Sequence, residues 1–407
     1  MDKREKMSTT DLKHLFTPGT GAIPPYLAGR KQEQEYFRDC VEVLKGRNSI
    51  SRDLILYGPR GNGKTALLGY LETKTLQKEA SKLDILSITP DEMETLDALS
   101  DRLTEDHQTL RKRFKSAEVS AGVGGFIQTK TEVDLSPTSV TIRKLLQERS
   151  RNKPFILIVD EAHTLTPALA RTLLNASQTV RKAGSPFLLV LAGTPNLSTA
   201  LGKANASFWD RSEIVPLGRL SPDEASQALA VPLQAAGITF APGVMEHIVE
   251  QTHCYPFFIQ VWGDCLARRL DETKEVEITT EAVKAVEEKV ITKRNAMYQV
   301  RFNELKRIGL LPVAASIADA FIRRGEPTLH GSELDQAIES GLAGDESVTN
   351  ERIMEKLEQL SHLGYVWPAG EYDYEPGIPS LMAFVQGYSL SQTRGEGGCT
   401  GSTKARE

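Results

Sequence analysis

Five short apolar runs punctuate the first half of the chain: Leu54–Tyr57, Leu83–Ile88, Phe155–Val159, Phe187–Ala192 and Ile214–Leu217. Helical stretches separate them, and short buried runs alternating with helices predict a parallel sheet covered on both faces. Before the first run, Pro18, Gly19, Gly21, Pro24 and Pro25 break regular structure, and Phe37, Val41 and Leu44 then take helical spacing within 31–44. Between the second and third runs, 120–135 is rich in glycine and then alternates at Phe126, Thr129, Thr131 and Val133, which predicts an inserted loop or hairpin. Past Leu217 the strand pattern stops. Ser221-Pro222-Asp223-Glu224 is a helix start with an N-cap serine, proline in the first turn and glutamate at the third position. Residues 221–290 read as a small helical domain. From 300 to 390 the pattern predicts a helix over Leu305–Ile322, two further helices, and a strand pair in the aromatic-rich Tyr365–Tyr374 segment, the outline of a winged helix. The stretch from Gln392 to Glu407 has too few apolar residues to fold and is expected to be disordered.

Composition narrows the class. A chain of 407 residues calls for two or three domains, and 40% hydrophobic with 25% charged residues is ordinary for a globular protein. The charged start, Met1 to Lys6, is followed by no apolar segment of the secretory kind, and no apolar run approaches the ~18 residues of a membrane span. Cys40, Cys254, Cys265 and Cys399 form no C-x-x-C pair, which argues against a zinc site or disulfide framework and fits a reducing cytoplasm. A net charge of −5 supplies no global attraction to nucleic acid, so any such contact needs a local patch. The segment Leu110-Arg111-Lys112-Arg113-Phe114-Lys115 is either that patch or a solvated helix face.

The chemistry concentrates at strand ends. Gly58-Pro59-Arg60-Gly61-Asn62-Gly63-Lys64-Thr65 follows the first run, precedes a helix and matches G-x-x-x-x-G-K-[ST]. Its glycines let backbone N–H groups curl around phosphate oxygens, and the following helix turns its positive end to the same anion. Lys64 is expected to reach the β- and γ-phosphates of ATP, and the Thr65 hydroxyl to ligate Mg²⁺. The third run ends in Asp160-Glu161, carboxylates at the edge where a parallel sheet meets its ligand. Asp160 is expected to hold Mg²⁺ and Glu161 to polarise the attacking water. The fourth run ends in Ala192-Gly193-Thr194-Pro195-Asn196, where Thr194 is either a γ-phosphate sensor or part of a strand-ending turn.

Over 20–290 these motifs resemble the AAA+ superfamily, near its initiator (origin-recognition) and STAND clades. Tyr26-Leu27-Ala28-Gly29-Arg30 resembles the linker that packs against adenine in that family, which makes Gly29 and Arg30 candidate nucleotide contacts. Phe208-Trp209-Asp210-Arg211 resembles the arginine-bearing segment before the fifth strand; Arg211 is either a finger for a neighbouring subunit or an ion-pair partner of Asp210 or Glu213. Cys254-Tyr255-Pro256-Phe257-Phe258-Ile259-Gln260 resembles a lid motif with a proline, Pro256, near the nucleotide. Its helix departs from typical AAA+ machines in carrying no arginine until Arg268 and Arg269.

The resemblance implies an α/β fold: a three-layer P-loop NTPase core with a five-stranded parallel sheet (26–220) behind a leader (1–25). A helical lid (221–295), a C-terminal winged-helix-like domain (296–390) and a disordered tail (391–407) complete it. It also implies slow, Mg²⁺-dependent ATP hydrolysis in a cytoplasmic, membrane-free switch that oligomerises when ATP-bound and assembles on DNA, through the ATPase core, or on a protein. The alternative is a protein-binding signalling scaffold. A helicase reading of Asp160-Glu161-Ala162-His163 requires a second α/β core, for which the run pattern leaves no candidate.

Overall fold

The computed structural model describes residues 12–105, 137–205, 207–342, 348–369 and 372–387, with the backbone alone at 137–140. The candidate hairpin at 120–135, the basic segment at 110–115 and the tail lie outside the described residues.

Strands β1 (Leu54–Tyr57), β2 (Asp84–Ile88), β3 (Phe155–Val159), β4 (Phe187–Gly193) and β5 (Glu213–Pro216) form one parallel sheet in the order β2-β3-β4-β1-β5. Each coincides within a residue or so with an apolar run. Period-2 alternation divides β1 to β4 between two helical layers, while β5 is a half-buried edge strand. Phe155, Leu157 and Val159 join the layer of α3 (Leu96–Thr104), α4 (Pro137–Asn152), α5 (Pro167–Lys182) and α6 (Leu197–Ala204). Ile156 and Ile158 join α1 (Lys31–Lys45) and α2 (Lys64–Glu79) on the other face. Burial on both faces is why the first four runs are so largely apolar.

After β5 come α7 (Pro222–Ala235), α8 (Val244–Thr252), α9 (Pro256–Thr273) and the first half of α10 (Thr280–Arg307), around a core of their own. The Ser221 cap forms as its sequence predicts, its hydroxyl accepting from the Glu224 N–H at 3.3 Å while the Glu224 carboxylate accepts from the Ser221 N–H at 2.9 Å. Strands do not stop at Leu217, however. β6 (Thr239–Phe240) pairs in parallel with β7 (Glu277–Ile278), and two residues are too few to leave alternation in a sequence. The leader docks here as well: Phe16 is buried against Gly263 of α9, where any Cβ would lie 2.3 Å from its ring.

The last unit contains α11 (Leu311–Arg324), β8 (Leu329–His330), α12 (Gly331–Gly341), α13 (Asn350–His362), β9 (Val366–Pro368) and β10 (Asp373–Pro376). The three strands form an antiparallel sheet in the order β8-β10-β9, so the fold is a winged helix with β8 as the strand that the sequence did not announce. The expected helix over Leu305–Ile322 is in fact two. Gly309, at φ 75°, ends α10, and Pro312 sits in the first turn of α11. Upstream, α10 runs unbroken through residue 295: Val286 and Val290 pack in the lid core, and Tyr298, Phe302 and Leu305 in the winged-helix core.

Candidate functional site

At the carboxyl edge of the sheet, the turn from β1 into α2 winds around its own lysine. Gly61 (φ 87°) and Gly63 (φ 81°) take backbone conformations that side chains disfavour. Within that turn the Lys64 ammonium donates to the carbonyls of Gly58 (2.8 Å) and Pro59 (2.9 Å). Burial pushes Lys64 down to about 8, against the opposing pull of Glu161 and Asp160. The neighbouring Asn62 Oδ1 is buried without a hydrogen-bond partner, while its amide donates to the Leu217 carbonyl at 3.0 Å.

Acidic groups complete one end. Thr65 Oγ1 donates to Asp160 Oδ2 at 2.6 Å, and the Glu161 N–H donates to Asp160 Oδ1 at 2.8 Å. A hydroxyl and a carboxylate so close are the donor pair that Mg²⁺ takes in P-loop sites. Glu161 itself sits at φ 50°, an uncommon conformation for a residue with a side chain. Its carboxylate lies 3.4 Å from His163 Nδ1, which also accepts from the Thr194 N–H at 3.4 Å. Burial pushes His163 below its ordinary value, and the Glu161 charge opposes that.

A cavity of about 460 Å³ opens over this turn, within the range of small-molecule sites. It brings together Arg30, the run Arg60–Thr65, Glu161 and Pro256. The other expected contacts stand outside its lining. Gly58, Pro59 and Asp160 act through Lys64 and Thr65, as above. Gly29 packs on the Glu224 carboxylate, 2.7 Å from where a Cβ would sit. Thr194 is buried and lines an adjoining polar cavity of about 430 Å³. Arg211 is exposed and borders neither cavity, while Glu213 pairs instead with Arg52 at 3.5 Å.

Three contributors escaped the sequence reading. Leader residues Thr17, Gly19, Gly21 and Ala22 line the cavity, anchored where the Thr17 N–H donates to Gln260 Oε1 at 3.1 Å. Tyr255, fully buried, packs on Gly61 and donates its hydroxyl to the Arg60 carbonyl, a link from lid to P-loop. Arg301 of α10 lines both cavities. Tyr255 lay in a quoted motif without a role of its own, but nothing in local sequence marks Arg301.

The winged helix rests against this edge. Thr199 Oγ1 donates to Glu358 Oε1 (3.2 Å) and lies 2.8 Å from His362 Nε2, both on α13. Arg219 pairs with Glu375, and the Trp367 ring packs on Tyr57 with centroids 5.3 Å apart.

Residues 51–201 match a family model described as an AAA domain. No curated protein matches by sequence. Among solved structures the chain is similar to the Walker-type ATPase PABY2304 of Pyrococcus abyssi, at 14% identity and TM-score 0.59 over 92% of this chain and 99% of that one. It is also similar to the Aeropyrum pernix ORC2 protein in ADPNP–ADP complexes, at 13% identity and TM-score 0.54 over 93% and 100%. These likenesses concern the fold.

Proposed function

We propose that the chain is an ATP-driven molecular switch with slow hydrolysis, a reading supported by the AAA-domain match over 51–201 and by the initiator-like fold. The observation that carries this is the cavity itself. Leader, P-loop, lid and α10 all contribute walls to one nucleotide-sized space, so its occupant bears on the angle between core and lid. The ADPNP–ADP complexes of the ORC2 protein are those of that protein and agree with the assignment.

In this reading Lys64 leaves the Gly58 and Pro59 carbonyls for the phosphates, and the N–H groups of Gly61 to Thr65 cradle them. Thr65 and Asp160 would hold Mg²⁺, which supplies Lewis-acid stabilisation of phosphate charge when bound. Glu161 accepts the proton of the attacking water, and Thr194 is the γ-phosphate sensor. Gly29, Arg30 and Pro256 would flank the adenosine end. The switch is a cytoplasmic one that assembles with further copies when ATP-bound, Arg211 completing a neighbour's site. Lys64→Ala should lower ATP affinity by ~100-fold or more, while Glu161→Gln should bind normally and lose ~100-fold in turnover. Equal calorimetric ATP affinity for Lys64→Ala and wild type would falsify the site.

A protein partner is the second reading, and one observation favours it over DNA at the winged helix. The helix that would read a major groove, α13, carries Glu351, Glu355 and Glu358 against Arg352 and Lys356, and it already contacts Thr199 of the core. DNA contact then falls to the ATPase core. A helicase mechanism loses support, since the described residues contain a single parallel sheet of more than two strands.

A further inference from the structure

The lid supplies no arginine to the cavity. Arg268 Nε is engaged with Asp264 at 2.7 Å, Arg269 lies 3.5 Å from Glu275, and neither lines it. A cation reaches the site from elsewhere. Arg301 projects from α10 into the wall between the nucleotide cavity and the adjoining polar one, a wall that it shares with Arg60. Glu161 borders the first cavity and His163 with Thr194 the second, so this wall marks the end where the terminal phosphate would lie. The Arg301 side chain is 16% exposed and pairs with a near neighbour, Glu304 Oε2 at 2.7 Å. Glu304 lines the second cavity beside Lys356.

Resting on the nucleotide-site reading, we propose that Arg301, beside Thr194, helps tell a nucleoside triphosphate from a diphosphate by exchanging Glu304 for the terminal phosphate. The chemistry is that of a planar guanidinium, which binds carboxylate and phosphate in the same bidentate way. A terminal phosphate offers more charge and more acceptor oxygens than one carboxylate, whereas a diphosphate ends short of the wall and leaves the Glu304 pair intact. An ordinary i,i+3 pair on a solvated helix face would contribute little and would be indifferent to nucleotide. The position on α10 matters too. Tyr298, Phe302 and Leu305 on the same stretch are winged-helix core, so a shift of Arg301 acts on the unit that carries α13.

The test is calorimetric affinity of the full chain, with Mg²⁺, for the non-hydrolysable imido analogue of ATP and for ADP. Arg301→Gln should weaken the triphosphate analogue by about ten-fold or more, the scale of a lost charge-assisted hydrogen bond, and leave ADP within about two-fold. Arg301→Lys should recover part of the loss. Glu304→Gln, which removes the competing carboxylate and keeps Arg301, should tighten the analogue and leave ADP unchanged. Lys64→Ala distinguishes failure of the nucleotide site from failure of the Arg301 role. If wild type binds neither nucleotide, or Lys64→Ala binds like wild type, the site reading fails and takes this proposal with it. If Lys64→Ala abolishes binding while Arg301→Gln and Glu304→Gln preserve the triphosphate-to-diphosphate ratio, the Arg301 assignment alone is overturned.

Discussion

An ammonium held by backbone carbonyls inside its own loop is poorly solvated, and for Lys64 the consequence is a charge that titrates at about 8 instead of its usual 10.5. Phosphate favours the charged form, so binding must take up a proton once the free site has lost one. The sign follows: the Lys64 contribution to ATP affinity is flat below pH 8 and falls as pH rises through it, by up to about ten-fold per unit until the bound-state value is reached. Calorimetry at pH 9 in buffers of different ionisation enthalpy should register proton uptake; none at pH 9 would mean that Lys64 stays charged in the free protein. At this scale the candidate site was legible where its residues are contiguous in sequence. Lys64, Thr65, Asp160 and Glu161 sit in strand-end motifs whose chemistry depends on local backbone, and the Thr65–Asp160 hydrogen bond joins two of them. Arg301 was not legible, because a lone cation on a helix looks like any solvated position until the helix is placed.

Among elements, the apolar runs gave the sheet away because residues buried on both faces leave a continuous signal. The β6, β7 and β8 pairs are two residues each and leave none. The α10–α11 junction misled for a different reason: Ile308, Leu310 and Leu311 keep the apolar spacing going across Gly309, so periodicity alone reads one helix where backbone conformation makes two. Close packing between elements makes its own predictions. A Cβ on Gly58 would lie 2.3 Å from the Leu217 carbonyl oxygen at the end of β5, and backbone there has little freedom to give way. Gly58→Ala should therefore destabilise by about 1–3 kcal/mol and lower the thermal midpoint. Ser221→Ala, which removes the α7 cap and its partner bond, should cost about 1 kcal/mol. An unchanged midpoint in either variant would show that the contact relaxes freely.

On the scale of the whole molecule, the arrangement of α13 against the core decides what the winged helix can touch. Its acidic residues and its contacts with Thr199 predict that duplex DNA affinity of the full chain is insensitive to the recognition face. Arg352→Ala and Tyr372→Ala should change that affinity by less than about two-fold in a gel-shift titration, against the ~1–3 kcal/mol per contact expected of a genuine base reader. A salt-sensitive loss of ten-fold would restore the initiator-like reading of this unit. Arg211, exposed and outside the lining of the cavity, makes a prediction about neighbours. Arg211→Ala should bind ATP normally yet hydrolyse it poorly, and mixing it with Lys64→Ala should recover activity if the arginine acts across subunits; mixtures that stay inactive, with wild-type turnover independent of concentration, would exclude it.

The switch itself is tested most directly by hydrogen exchange on Glu161→Gln, which should hold ATP without turnover. Exchange would be compared with no nucleotide, with ATP and Mg²⁺, and with ADP and Mg²⁺. In the proposed switch, occupancy sets the angle between core and lid, so ATP and ADP should give different protection at the start of α9, around Tyr255 and Pro256, and along α13 where it meets Thr199. Identical exchange in all three states outside the P-loop, with binding confirmed, would contradict the account: the cavity would then hold nucleotide without acting on the rest of the molecule.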